Sequence, residues 1–178
     1  MEKEQLKQNA QKIKLVAFDV DGVLTDGSLT FDENGTEYKT FNAKDGQGIV
    51  MLNKTGFITA IITARQNGTV RHRFNNLGMT KLFEGQKNKL AALDELCEEY
   101  NVTYDEIAYM GDDLPDICVL EKVGLSSCPA DAVEEVLNCA KFISSKNGGR
   151  GAVRELCDFI LYSQNKHPFI KDKIQAGV

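Results

Sequence analysis

Residues 14–25 read Lys-Leu-Val-Ala-Phe-Asp-Val-Asp-Gly-Val-Leu-Thr. A short apolar run ends abruptly in Asp19, and a second carboxylate, Asp21, follows before Gly22. Apolar runs without polar alternation belong to strands covered on both faces, as in parallel sheets. The same pattern recurs. Residues 57–62 end in Thr63, residues 107–110 end in Gly111-Asp112, and shorter strand candidates lie at 123–126 and 141–143. Amphipathic segments at 46–54, 87–100, 114–121, 130–138 and 151–162 separate them, with Leu90, Leu93, Leu96 and Cys97 at helical spacing in the second. Strand–helix alternation predicts an α/β fold with a doubly wound, mainly parallel sheet and right-handed crossovers.

The sequence has 178 residues, 42% hydrophobic and 26% charged. That length predicts one domain over residues 1–178, with no room for a large inserted lid. Apolar runs such as 58–62 are far shorter than the ~20 residues a bilayer span needs. Residues 1–14 are polar and hold no signal-type apolar segment. The expected setting is the cytoplasm, away from membranes. With 21 basic and 26 acidic side chains the net charge is −5, which argues against a nucleic-acid partner. Cys97, Cys118, Cys128, Cys139 and Cys157 show no C-x-x-C spacing and are expected to be reduced, buried structural thiols.

One stretch breaks the alternation. Asn34-Gly35 lies between β-prone arms at 28–31 and 36–41, a hairpin signal. The hairpin, about residues 27–41, reads either as an edge cover for the core or as a flap or oligomer contact beside a site.

In open parallel sheets, ligands bind beyond the carboxyl ends of the strands. Here three candidate strands end in Asp19-Val20-Asp21, Thr63 and Asp112-Asp113. Asp19, Asp112 and the main-chain carbonyl of Asp21 are hard oxygen donors suited to Mg²⁺. A carboxylate such as Asp19 can attack phosphorus. Asp21 can protonate a leaving alcohol and then deprotonate water. Thr63 and Lys89 offer a hydroxyl and a cation to phosphoryl oxygens, and the turns at Gly22 and Ala64 offer backbone N–H groups. The chemistry these residues point to is phosphoryl transfer.

Asp19-Val-Asp-Gly-Val-Leu-Thr25, Thr63, Lys89 and Gly111-Asp-Asp-Leu-Pro-Asp116 together resemble the four motifs of the haloacid dehalogenase superfamily. The short chain, the hairpin, Lys44-Asp45-Gly46, residues 85–89 and residues 148–155 are similar to its capless 3-deoxy-D-manno-octulosonate 8-phosphate phosphatase family. The resemblance implies an Asp19 nucleophile, an Asp21 acid/base, phosphoryl contacts from Thr63 and Lys89, and Mg²⁺ held by Asp19, Asp21 and Asp112. Asp116, or else Asp113, would orient metal-bound water. It also implies a homotetramer whose hairpins and tails (about 164–178) help close neighbouring sites, and a product destined for lipopolysaccharide synthesis in Gram-negative bacteria. Ala64 stands where many members have glycine.

The sugar acid carries a carboxylate, for which arginine is the expected partner. Arg65, Arg73 and Arg150 are the candidates, with Lys44, Gly46 and Ala64 as further substrate contacts. Tyr38, Phe41 and Phe169 are expected in packing or interfaces, and Arg71 and His72 on the surface. A nonulosonate 9-phosphate is the alternative substrate. A phosphoacceptor signalling domain or a non-catalytic phosphosugar-binding domain is the rival class, and Asp21 speaks for turnover against both.

Overall fold

A computed structural model describes residues 3–168. Most of the expected tail, including Phe169, lies outside the described residues. The first strand, β1 (Leu15–Phe18), is buried at every position. It is the hinge of a six-stranded sheet in the order β5-β4-β1-β6-β7-β8. The chain leaves β1 for β4 (Ile58–Ile62) and β5 (Lys81–Phe83), then returns to β1's other side as β6 (Ile107–Met110), β7 (Leu125–Cys128) and β8 (Phe142–Ile143). Every pairing in this sheet is parallel. The reversal of direction on either side of β1 opens a crevice at its carboxyl end.

Residues of alternate parity on β1 face opposite cores. Val16 and Phe18 pack with Ile61, Met110 and the buried faces of α2 (Ala43–Lys54) and α7 (Ala152–Ser163), including Ile49, Leu52, Leu156 and Ile160. Leu15 and Ala17 pack with Ile62, Tyr109 and Leu93 and Leu96 of α4 (Lys89–Tyr100) on the other face. The buried helix α7 has no side-chain cap of its own. Asp45 of α2 supplies one from outside: its carboxylate accepts the Gly151 N–H at 3.2 Å and the Arg154 N–H at 2.9 Å.

The structure adds three elements to the segments read from the sequence. Residues 3–12, read only as a polar N-terminus, form α1 (Lys3–Lys12), which buries Ala10. The short strand β5 escaped notice because three residues carry too little pattern. The helix α3 (Gly68–Leu77) follows β4 and carries Arg73. Residues 114–121 are not one helix but a 3₁₀ turn, Leu114–Asp116, running into α5 (Ile117–Leu120). The helix read at 130–138 begins later, as α6 (Glu134–Cys139). The strand read at 123–126 sits two residues further on, at β7.

The expected hairpin is present, but its arms are short: β2 (Thr30–Phe31) and β3 (Glu37–Tyr38) pair antiparallel outside the main sheet. Its turn is built around Asp32, whose Oδ1 accepts the N–H groups of Asn34 and Thr36. Phe41 packs against the core, whereas Tyr38 is exposed. The cysteine expectation needs correction. Cys128 and Cys157 are buried, Cys97 and Cys139 are partly so, and Cys118 is exposed. Cys118 lies on the solvent side of the one-turn helix α5, exposed among the described residues.

Candidate active site

Backbone pairing carries the sheet one residue past β1 and β4. The Asp19 N–H donates to the Met110 carbonyl at 3.0 Å, and the Thr63 N–H to the Phe83 carbonyl at 2.9 Å. These bonds fix where Asp19 and Thr63 leave the sheet. Asp19, Asp21, Gly22, Thr63, Ala64, Arg65, Lys89, Asp112, Asp113 and Asp116 line one cleft of about 280 Å³ at the crevice.

Lys89 is the first residue of α4, positioned by the Asn88 cap, whose side chain accepts the Ala91 N–H. Its ammonium is buried, 3.0 Å from Asp19 Oδ2 and 2.6 Å from Asp116 Oδ1. Burial works to lower the Lys89 pKa, but Asp19 and Asp116 prevail and hold it above the ordinary value. Asp116 is buried at the end of the 3₁₀ turn. Its Oδ1 also accepts the Tyr109 hydroxyl at 2.5 Å, and its Oδ2 the N–H groups of Asp112 and Asp113 at 3.0 and 3.3 Å. These bonds fill the acceptor capacity of a carboxylate. Asp116 therefore organises the loop that carries Asp112. Asp113 is exposed and caps the turn, accepting the Leu114 N–H at 2.7 Å.

Carboxylate oxygens of Asp19, Asp112 and Asp116 lie within 4.8 Å of one another. Crowding raises the cost of charge. Burial lifts the Asp19 carboxyl to about 6 against the pull of Lys89, with Asp116 adding to the rise. Burial, and then repulsion from Asp19, Asp116 and Asp113, lifts Asp112 to about 8. Asp112 Oδ1 is buried with no hydrogen-bond partner among the described residues. Gly22, at φ +84, leaves the space Asp112 needs: a Cβ there would stand 2.0 Å from Asp112 Oδ2. An orphaned carboxylate oxygen beside two more carboxylates fits a hard divalent cation such as Mg²⁺.

The hairpin closes one side of the cleft. Lys39, from the strand end after β3, donates to Asp21 Oδ1 and lies 2.9 Å from Glu37 Oε1. The second contact is an ion pair off the hydrogen-bond direction, since Glu37 Oε1 has no aligned donor. Glu37 Oε2 accepts from Arg65 at 2.8 Å, and Arg65 Nε lies 4.0 Å from Asp21 Oδ2. Lys39 and Glu37 were missed in the sequence. Period-2 alternation in the arm was the available signal, since it puts both on the face opposite Tyr38.

The remaining substrate candidates are elsewhere. Arg73 donates to the Asn42 carbonyl at 3.3 Å and crosses the Phe41 ring, packed against Gly46. Lys44 and Arg150 line a separate basic depression with Lys146 and Arg154, and Arg150 pairs with Asp26 at 2.9 Å. Arg71 pairs with Glu84 on the surface, and His72 is exposed.

The family model for haloacid dehalogenase-like hydrolases matches residues 79–156. The chain is 45% identical, over 157 residues, to 3-deoxy-D-manno-octulosonate 8-phosphate phosphatase KdsC of Escherichia coli (strain K12), covering 88% of this chain and 84% of that protein. The fold matches the crystal structure of the Moraxella catarrhalis 3-deoxy-D-manno-octulosonate 8-phosphate phosphatase, in complex with magnesium ion, phosphate ion and KDO molecule. That match has a TM-score of 0.92 at 37% identity and covers 99% of this chain and 100% of that one. The cobalt-bound phosphatase of Haemophilus influenzae matches with a TM-score of 0.86 at 39% identity, over 89% and 92% of the two chains.

Proposed function

The chain belongs to the 3-deoxy-D-manno-octulosonate 8-phosphate phosphatases among the haloacid dehalogenase-like hydrolases, and from that premise we propose how its own residues carry the reaction. The enzyme hydrolyses 3-deoxy-D-manno-octulosonate 8-phosphate to the free sugar acid and phosphate, with Mg²⁺ as cofactor. Asp19 is the nucleophile. Its carboxylate attacks phosphorus and forms an aspartyl-phosphate as the sugar oxygen departs. Asp21 gives that oxygen a proton and later takes one from the attacking water. Lys89 and Thr63 hold phosphoryl oxygens, and the backbone N–H of Ala64 adds a fixed dipole. Asp19 and Asp112, with the Asp21 carbonyl, would hold Mg²⁺, which would supply charge neutralisation for the phosphoryl group. Asp116 and Asp113 set the loop that presents Asp112.

The observation that carries this assignment is the buried Lys89 ammonium 3.0 Å from Asp19 Oδ2, near an Asp112 oxygen with no partner among the described residues. A cation and an open ligand position then flank the same carboxylate. Arg65, which lines the cleft, is the partner for the sugar carboxylate. Arg73, Lys44, Gly46 and Arg150 lie outside this cleft, so a part for them in substrate binding requires a second copy of the chain. We assign the enzyme to the cytoplasm and to a homotetramer, for which the exposed Leu29, Phe31 and Tyr38 of the hairpin offer an apolar contact. Its product feeds lipopolysaccharide precursor synthesis.

The test is phosphate release from 3-deoxy-D-manno-octulosonate 8-phosphate and from a nonulosonate 9-phosphate, each with Mg²⁺ and with EDTA. The assignment requires faster turnover of the octulosonate and loss of turnover in EDTA. Preference for the nonulosonate would shift the substrate, and EDTA-resistant turnover would remove the metal.

A further inference from the structure

Asp21, Lys39, Glu37 and Arg65 form a closed ring of alternating charge, and two of its members come from the hairpin. Lys39 is the unusual one. The hairpin around it is largely exposed, yet only 1% of the Lys39 side chain is accessible. Burying an ammonium is costly unless it is paired. This one is paired on both sides, with the Asp21 carboxylate and with Glu37. The Glu37 carboxyl is held below its usual range, first by Lys39 and with help from Arg65.

The ring has a directional consequence. Lys39 occupies Oδ1 of Asp21, whereas among the described residues Oδ2 has only the Arg65 Nε at 4.0 Å. A free aspartate side chain would rotate between staggered states. Tied through Oδ1, it keeps Oδ2 for chemistry in the cleft that Asp21 lines.

We propose that Lys39 is a positioning residue that aims the acid/base Asp21 at the leaving oxygen, so that the hairpin forms part of the catalytic apparatus. The inference rests on the assignment of Asp21 as acid/base. In the first half-reaction the phosphorus–oxygen bond to the sugar breaks as the Asp19–phosphorus bond forms, and the Asp21 proton moves to the departing oxygen. In the second, water oxygen bonds to phosphorus, Asp19 leaves as carboxylate, and Asp21 takes back a proton from that water. Lys39 exchanges nothing in either step. It holds the carboxyl in line, and a displacement of about 1 Å in such a group costs on the order of a hundredfold.

The test is a series of substituted phenyl phosphates of graded phenol acidity, measured as kcat/KM with saturating Mg²⁺. This ratio covers only the steps through departure of the phenol. A weakly acidic phenol needs the Asp21 proton and a strongly acidic one does not. The wild type, Asp21→Asn, Lys39→Met, Lys39→Arg and the double variant are compared. Lys39→Met is expected to lose about tenfold or more with the poorest leaving group and less than about threefold with the best. It thus steepens the dependence toward that of Asp21→Asn. Lys39→Arg recovers part of the loss, and Lys39→Met costs nothing further in the Asp21→Asn background. A uniform loss across the series, or an unchanged slope, overturns the positioning role. A wild-type slope in Asp21→Asn overturns the acid/base reading itself, and this inference with it. Lys39→Gln repeats the comparison should the Met variant fail to fold.

Discussion

Replacing Lys89 with methionine keeps most of the side-chain volume and removes the one ammonium that Asp19 and Asp116 share. Removing one partner of a buried ion pair costs ~3–5 kcal/mol, because the other charge is left in a poor solvent. At ~2–4 °C per kcal/mol for a chain of this size, the expected fall in Tm is about 6–20 °C. The low end applies where the carboxylates escape by taking up protons. That escape has a pH signature. Asp19 and Asp112 titrate near 6 and 8 in the fold, above the value of about 4 in an unfolded chain. Between those values the folded state holds protons that the unfolded state has lost, so stability falls as pH rises through the folded pKa values.

Lys89 opposes that fall by favouring the ionised Asp19. The Lys89→Met deficit in Tm is therefore smallest near pH ~5 and largest near pH ~9 in EDTA. Mg²⁺ narrows the gap at the high end by binding the folded state. Thermal melts by circular dichroism, with and without Mg²⁺, measure it. Turnover at neutral pH should fall on the order of a hundredfold or more, since a preorganised charge facing the phosphoryl group is gone. A deficit that stays constant with pH would refute the reasoning, because it would mean that Lys89 does not face titrating carboxylates.

Three further outcomes follow from the same geometry. Asp112→Asn should abolish Mg²⁺-dependent turnover yet make the metal-free protein more stable at alkaline pH, since it deletes the carboxyl held at about 8; melts in EDTA across pH show the sign. Gly22→Ala places a methyl 2.0 Å from Asp112 Oδ2 at a positive φ, so both Mg²⁺ affinity by calorimetry and turnover should drop together. Replacing Leu29, Phe31 and Tyr38 with serine should shift the proposed tetramer toward monomer in analytical ultracentrifugation, and an unchanged sedimentation would rule the hairpin out as its contact.

Much of this was legible because chemistry and fold share the same residues. An apolar strand that stops at a carboxylate states both where the sheet ends and what waits there, and this happens at Asp19 and at Asp112. Thr63 was legible for the same reason, as the polar stop after Ile62. Other features depend on meetings between distant segments. Asp45 lies in a motif next to the phosphate-binding candidates Lys44 and Gly46, but its carboxylate caps α7, over 100 positions away. Nothing local announces that. Tyr109 reads as one more apolar strand residue, yet its hydroxyl reaches Asp116 and the Lys89 ammonium. Arg65 carried a local signal that Arg73 and Arg150 lack, its place just after the strand end at Thr63; the backbone puts it in the cleft and the other two outside it. The hairpin signal in Asn34-Gly35 was sound, but Asp32 widened the turn and left two paired residues in each arm.

The proposed mechanism requires Asp19 to become phosphorylated during each cycle. Acid quench of wild type and Asp21→Asn in mid-turnover of a phenyl phosphate with a strongly acidic phenol, whose departure needs no Asp21 proton, followed by peptide mapping, tests this directly. The phosphoryl group is expected on the peptide carrying Asp19, accumulating in Asp21→Asn, whose water attack lacks a base, and absent from Asp19→Asn. Turnover with no phosphorylated peptide at any quench time, or with the label on Asp112, would contradict it.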